Sequence, residues 1–476
     1  MFSSVDVNRN YLPEINQYKN WNLAAIKGTE KISNDSILVY GNIGIWLTDS
    51  HFKNYTNFNT GLPKGIDNKK TCKIYKTKKG KLFAGTLFGL YQFDKTASQW
   101  QKIPLQIHNP RIVDITEKQD TLIVLSRSFL FKSVDYHNFT QQVLPNPENY
   151  DNKVSLFKTL WLIHSGEILG KPGKLFVDLI AFIFIFLSIT GMLLFINKYS
   201  IKRKKQKEKQ IEKIHKSNRW NLKWHNKIGW TTIIFLSITT ITGMFLRPPL
   251  LIPIANAKVN KIPFTLLDTD NAWFDKLRRV IYDEKKDRYT IATNSGVYFS
   301  DDNFKTELKS YPQQPPISIM GVNAFEKISP NEILIGSFEG LFVWNEQDGS
   351  VTDHIKKQPY KKPEGRGSPI GEHLISGYTT DFNGKAFYFD YSKGATTIQG
   401  NKTFPAMPDV LKDQPMSLWN FMLEVHTARI FQSMLGIFYI LIVPITGLLT
   451  LFVLISGFVV WYKKHRKKKP RLSQLK

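Results

Sequence analysis

Cysteine is almost absent: Cys72 is the only one in 476 residues. That excludes an intrachain disulfide, a cysteine-held zinc or iron–sulfur centre and covalently attached c-type haem. Any redox cofactor is then held noncovalently, by ligands other than thiolate clusters. Acidic residues are also few, 39 against 65 Lys and Arg, for a formal charge of +26. The excess is not spread over a soluble face. Well over half of it lies in residues 198–223 and 463–471, each directly after an apolar run. This is the pattern of cytoplasmic loops and tails, so a lipid bilayer is the expected partner and nucleic acid is not. No Walker loop, dinucleotide fingerprint, Ser-His-Asp arrangement or zinc-protease motif is present. Electrons, if the chain carries them, would come from a quinol or a separate redox protein, and no catalytic residue is assigned. The first twenty residues contain no apolar export signal. Because the topology below puts them outside, the chain reads as N-terminally truncated, with one more membrane helix expected before Met1.

Three long apolar runs are present, at residues 175–196, 228–246 and 431–462. A run of about 20 such residues is enough to cross a hydrocarbon core. Trp161, Trp224, Trp230, Trp419, Trp461 and Tyr462 flank them, as in interfacial aromatic belts. With the basic segments inside, the domains read as follows: residues 1–155, outer; 156–198, interfacial segment and helix; 199–224, basic cytoplasmic loop; 225–248, helix. Residues 249–417 are again outer, 418–463 an interfacial segment and helix, and 464–476 a basic cytoplasmic tail. The expected location is the bacterial inner membrane, multi-pass, with the large domain on the periplasmic side.

The outer regions repeat a pattern of apolar strand, small-residue turn, apolar strand and polar tip. It starts at Ile37, Leu82 and Thr121, and returns at Tyr289, Glu332 and, more weakly, Lys385. A period of about 40 to 45 residues is that of four-stranded propeller blades. The expected fold class is therefore an α-helical membrane bundle, three helices here and four in the intact protein, plus an all-β outer domain forming a six-bladed β-propeller. Two unrelated β domains are the alternative.

A titratable group beside a membrane span is costly unless it does something or reaches the interface. His164 (WLIHSGEILG), His225 (WHNKIGW) and His426 (LEVHTARIF) qualify. His164 and His426 each stand about 34 to 37 residues before a lysine cluster, within one helical turn of the same depth. Paired neutral imidazoles are suitable axial ligands for haem b. His164 with His426 would hold one haem near the outer face, and His225 would ligate a second near the inner face. Arg429, three residues after His426, would face a haem propionate. The rival reading is interfacial histidines and a snorkelling arginine. Pro444 should kink the last span, and glycines recur in ITGM, ITGM and ISGF near the span ends.

WHNKIGW with FLSITTITGM, HSGEILG with FLSITGMLLF, and HTARIFQSMLG with ISGFVVWYKK resemble the PepSY-associated transmembrane family, which includes bacterial siderophore-iron reductases. That resemblance implies four helices in two similar pairs, with histidines of corresponding motifs as haem ligands, and so supports His164, His225 and His426. The chain departs from the family in lacking a recognisable PepSY domain. Ala428 stands where glycine is common, and Glu167 holds the place of Arg429 in the other copy. The expected function is an inner-membrane b-haem protein, with one or two haems, passing electrons to an outer acceptor such as a ferric siderophore. The alternative is a non-enzymatic membrane-anchored sensor or scaffold with a ligand-binding propeller.

Overall fold

The computed structural model describes residues 4–17, 21, 26–107, 110–203, 208–361, 371–382, 384–398 and 404–466. The end of the expected basic tail, beyond residue 466, lies outside them. The chain divides into a β unit, residues 1–151 with 269–436, and a helical unit, residues 152–268 with 437–476.

In the β unit, each segment read as strand–turn–strand forms an antiparallel hairpin, inside its sheet in the first five and ending in an edge strand in the sixth. Sheets 1 to 6 open with the strands Ile26–Ser33, Thr71–Lys76, Ile112–Lys118, Leu277–Asp283, Val322–Lys327 and Ile375–Phe382. The strand after each opening strand is apolar on both faces because it is covered on both: Leu38, Val39, Leu122, Ile123, Leu334 and Ile335 are all buried. The hairpin turns reuse one device. Thr86, Ser126 and Thr293 each donate a hydroxyl to the carbonyl three residues on, at 2.8–3.0 Å. Gly44 takes φ +93 in the first hairpin, and a Cβ there would meet Asn59 Oδ1 at 2.3 Å. Asn59 binds both backbone groups of Ile45, at 2.8 and 2.9 Å, and so locks that turn.

The described residues contain eight α-helices: α1 (Leu156–His164), α2 (Gly170–Arg203), α3 (Glu208–Met244), α4 (Leu251–Ile254), α5 (Asp409–Lys412), α6 (Leu418–His426), α7 (Gln432–Leu435) and α8 (Ile442–Arg466). In the helical unit, Ile180, Leu187 and Leu236 form a small core joined by Leu454. Trp230 stacks on Trp461, with ring centroids 4.5 Å apart. The outward faces stay apolar, Phe182 being 70% and Phe452 71% exposed, as suits contact with lipid. Pro444 sits in the first turn of α8, where a missing N–H costs nothing. The break falls ahead of it, in the 3-10 stretch Gly436–Leu441, rather than as a kink inside one long helix.

The expected fold class is corrected on both counts. Two stretches, Glu167–Lys202 and Arg429–Arg466, are long and apolar enough to cross a membrane, rather than the three expected of a four-helix design. The apolar part of α3 runs only from Ile228 to Met244, about 17 residues or roughly 26 Å against a core of about 30 Å. It also carries Thr231, Thr232, Thr240 and Thr242, which bond back to carbonyls four residues earlier. In place of a six-bladed propeller of equal four-stranded blades, the strands of the described residues form eight separate sheets of two to five strands. Among the described residues no ladder closes on itself.

Candidate functional site

Helix α1 ends on His164 and lays its imidazole against α3. Ser155 caps the helix, accepting from the Lys158 N–H, and left-handed Gly166 turns the chain just after the histidine. His164 Nδ1 lies 3.0 Å from the Thr239 carbonyl oxygen and 3.4 Å from Thr242 Oγ1. Thr242 donates its one hydroxyl proton to the Ile238 carbonyl at 2.7 Å, and a carbonyl can only accept. Nδ1 therefore carries a proton, and in the neutral ring the lone pair is on Nε2. A Cβ on Gly243 would stand 2.7 Å from His164 Cε1 and 3.1 Å from Nδ1, so glycine is what lets the ring pack this close.

His225 repeats the arrangement with the helices exchanged. It projects from α3, and its Nδ1 lies 2.8 Å from Thr190 Oγ1 of α2. Thr190 donates to the Phe186 carbonyl at 2.8 Å, so again the imidazole is the donor and Nε2 carries the lone pair. A Cβ on Gly191 would sit 3.4 Å from His225 Cε1. Each histidine thus faces a Thr-Gly pair, Thr242-Gly243 or Thr190-Gly191, and both pairs come from the repeated ITGM. His225 and Gly243 are separated by about 18 residues of α3, roughly 27 Å, so the two sites lie near opposite ends of the α2–α3 pair. A neutral imidazole with Nδ1–H anchored and a lone pair on Nε2 is the donor an axial haem ligand must be, so His164 and His225 fit that group.

His426 and Arg429 belong to the β unit, where α6 follows the local plan of α1. Both helices have nine residues, a serine cap and a terminal histidine. Ser417 accepts from the Asn420 N–H at 3.2 Å. Ala428 then takes φ 60, the left-handed conformation that glycine adopts at the matching Gly166. The 3-10 turns Arg429–Phe431 and Glu167–Leu169 follow. The sign difference at that position is absorbed locally: Arg429 pairs with buried Glu424, and Glu167 with Lys174 at 2.7 Å. Arg429 is thus already engaged by a protein carboxylate. Sequence reasoning missed Thr190, Thr239 and Thr242 as anchors of the imidazoles, although a threonine before the glycine in both copies of ITGM was a readable signal. Among the described residues, no group of three or more His, Cys, Asp or Glu is placed to hold a bare metal ion.

The profile of the PepSY-associated TM region matches residues 92–464, which include all three histidines and both copies of ITGM. The chain belongs to the PepSY-associated TM family. Family membership and the two long apolar helices make it a membrane protein. No curated protein matches this PepSY-associated TM chain. Among solved structures it is similar to the extracellular domain of BT4673 of B. thetaiotaomicron, described as a one-component system, at 11% identity and a TM-score of 0.38. That match covers 83% of this chain and 34% of the other, so the chain spans about a third of that structure's length. A Bacteroides thetaiotaomicron protein of unknown function matches at 11% identity and TM-score 0.37, over 78% of this chain and 68% of that one. PorZ of Porphyromonas gingivalis, a type-IX secretion component, matches at 11% and 0.32, over 78% and 31%. At these scores none of the three bears on function.

Proposed function

We propose that this PepSY-associated TM protein is a b-haem protein of the bacterial inner membrane that passes electrons to an extracytoplasmic acceptor, ferric iron in a siderophore-type chelate. The observation that carries the reading is the matched seating of His164 and His225, each with Nδ1–H anchored and its ring packed on a glycine. Bound haem supplies one-electron exchange at its iron. The chain's own residues hold and orient the donors: Thr239 and Thr242 set the tautomer of His164, and Thr190 that of His225. His426, which ends the second serine-capped helix, is the third proposed ligand, with Arg429 beside a propionate on its exposed side. The apolar faces of α2 and α8 exclude water from the route. In the proposed topology the lysine-rich helix ends are cytoplasmic, residues 1–155 and 249–417 are outside, and a quinol or redox protein supplies the electrons.

The test is a dithionite-reduced minus air-oxidised absorption spectrum of detergent-purified protein, with pyridine haemochrome quantification. A bis-imidazole b-haem spectrum is expected, with loss of haem in His164→Ala, His225→Ala and His426→Ala. Absence of haem after expression with ample haem supply would overturn the reading in favour of a membrane-anchored sensor or scaffold.

A further inference from the structure

Among the described residues four aromatics take a left-handed φ: Phe52, Tyr136, Phe264 and Phe304. For a bulky side chain that conformation is strained, and it persists only where the surroundings hold it. Phe52, Tyr136 and Phe304 are at most 3% exposed, so burial of the ring offsets the strain. Phe264 takes φ 62 and is 96% exposed, and holds the same conformation with no such return.

The backbone around Phe264 is nevertheless fixed. Its N–H donates to Asp268 Oδ2 at 2.9 Å, and the Asp268 N–H donates to the Thr265 carbonyl at 2.9 Å. Thr265 Oγ1 donates to the Ile262 carbonyl at 2.7 Å and accepts from the Leu267 N–H at 3.2 Å, while the Leu267 side chain is buried. The loop KIPFTLLD, residues 261–268, is thus closed from within, and a locked backbone turns its ring outward.

The attachment of the loop tells what the ring faces. The Leu266 N–H donates to the Ile168 carbonyl at 3.0 Å, in the 3-10 turn Glu167–Leu169. That turn opens the apolar stretch Glu167–Lys202, one of the two long enough to cross a membrane. On either side of the bond Leu266 and Leu169 are exposed, as are Pro263 in the loop and Leu175 near the start of α2. Lys171 and Lys174 belong to the same end of α2, as suits headgroup phosphates at a bilayer edge.

We propose that residues 261–268 form a membrane-inserting wedge, with Phe264 and Leu266 entering the acyl-chain boundary of the leaflet at the Glu167 end of α2. Lipid returns to this ring the apolar surroundings that the other three strained rings find in the protein core. Continuity with the span selects lipid over a protein partner, because the wedge is bonded to the first residues of a stretch that is apolar on its outward face. The consequence falls on His164. Ile168 follows it by four residues, across left-handed Gly166, so a wedge fixed in the leaflet sets the depth of the turn that presents the imidazole. The wedge requires a membrane protein and this loop, and no bound haem.

The test uses the full chain in nanodiscs of phosphatidylethanolamine and phosphatidylglycerol. Cys72 is the only cysteine, so Cys72→Ala gives a background for single spin labels. Labels at Phe264→Cys and Leu266→Cys are compared with Phe182→Cys on the exposed apolar face of α2 and Lys95→Cys at an exposed hairpin turn, with oxygen and a water-soluble nickel chelate as relaxants. At both wedge positions oxygen is expected to outweigh nickel by about threefold or more, as at Phe182, with the ratio reversed at Lys95. Leu266→Cys carries the test if Phe264→Cys fails to fold. Phe264→Gly keeps the left-handed backbone but removes the ring, and should raise nickel access at a Leu169→Cys label by roughly twofold or more. Nickel access at the wedge equal to that at Lys95 would overturn the proposal. So would shielding from both relaxants, which marks a protein partner or a second copy in place of lipid. Unchanged access at Leu169 in Phe264→Gly would overturn the depth-setting role.

Discussion

Gly243→Ala and Gly191→Ala make the same substitution in the two copies of ITGM, and the structure assigns them opposite signs. At Gly243 the new methyl stands 2.7 Å from His164 Cε1, whereas ordinary contact starts at 3.4 Å, so the ring must retreat by about 0.7 Å. The 3.0 Å bond from His164 Nδ1 to Thr239 O then stretches toward 3.7 Å, beyond hydrogen-bond range, if the ring moves directly away from that carbonyl. Overpacking of this kind costs about 1–3 kcal/mol and the lost bond about 1 kcal/mol. Replacing a helical glycine with alanine returns about 0.5–1 kcal/mol. The net is a loss of roughly 1–3 kcal/mol. At Gly191 the methyl lands 3.4 Å from His225 Cε1, in ordinary contact, leaving only the gain of about 0.5–1 kcal/mol. Thermal unfolding of both variants and the parent in one detergent reads the order. Equal shifts, or Gly191→Ala as the less stable variant, would refute the seating of the two histidines.

Glu30 couples folding to pH. The folded chain keeps its carboxyl proton up to pH about 7, whereas a free glutamate releases it near 4.5. Protonation therefore favours folding, and stability falls as pH rises from about 4.5 to 7 and is flat above, by at most about 3 kcal/mol. Glu30→Gln should be more stable than the parent at pH 8 and equal to it at pH 4, as checked by denaturant unfolding at the two values. Ala428 holds a left-handed φ of 60, so Ala428→Gly should gain about 0.5–1 kcal/mol, read as a higher unfolding midpoint.

The local grammar of the chain was legible because it is short-range. Alternating apolar strands around Gly44 and Gly89 announced hairpins, since register and turn are set by residues a few positions apart. The repeated ITGM, and histidines ahead of lysine-tipped apolar runs, announced the family. The count of membrane helices was less legible, because the apolar part of α3 is about 17 residues and holds four threonines that bond back to helix carbonyls, and so falls below the length and composition of the other two stretches. The equal-blade propeller failed for a similar reason: a repeat period fixes the hairpins but not how many strands each sheet recruits, as Gln358–Pro359 does in sheet 5.

What the sequence by itself determined is thus the membrane family, the hairpins, the three histidines and the two copies of a serine-capped helix. Each follows from periodicity, capping or composition within one segment. Only the tertiary structure decided that His164 faces Thr242-Gly243 and His225 faces Thr190-Gly191, because those partners lie 78 and 35 positions away along the chain. It alone brought the Arg279 guanidinium onto the carbonyls of Cys72, Val113 and Asn323, on three other sheets. In the sequence each of these is an ordinary strand residue; the bonds to one arginine make them neighbours.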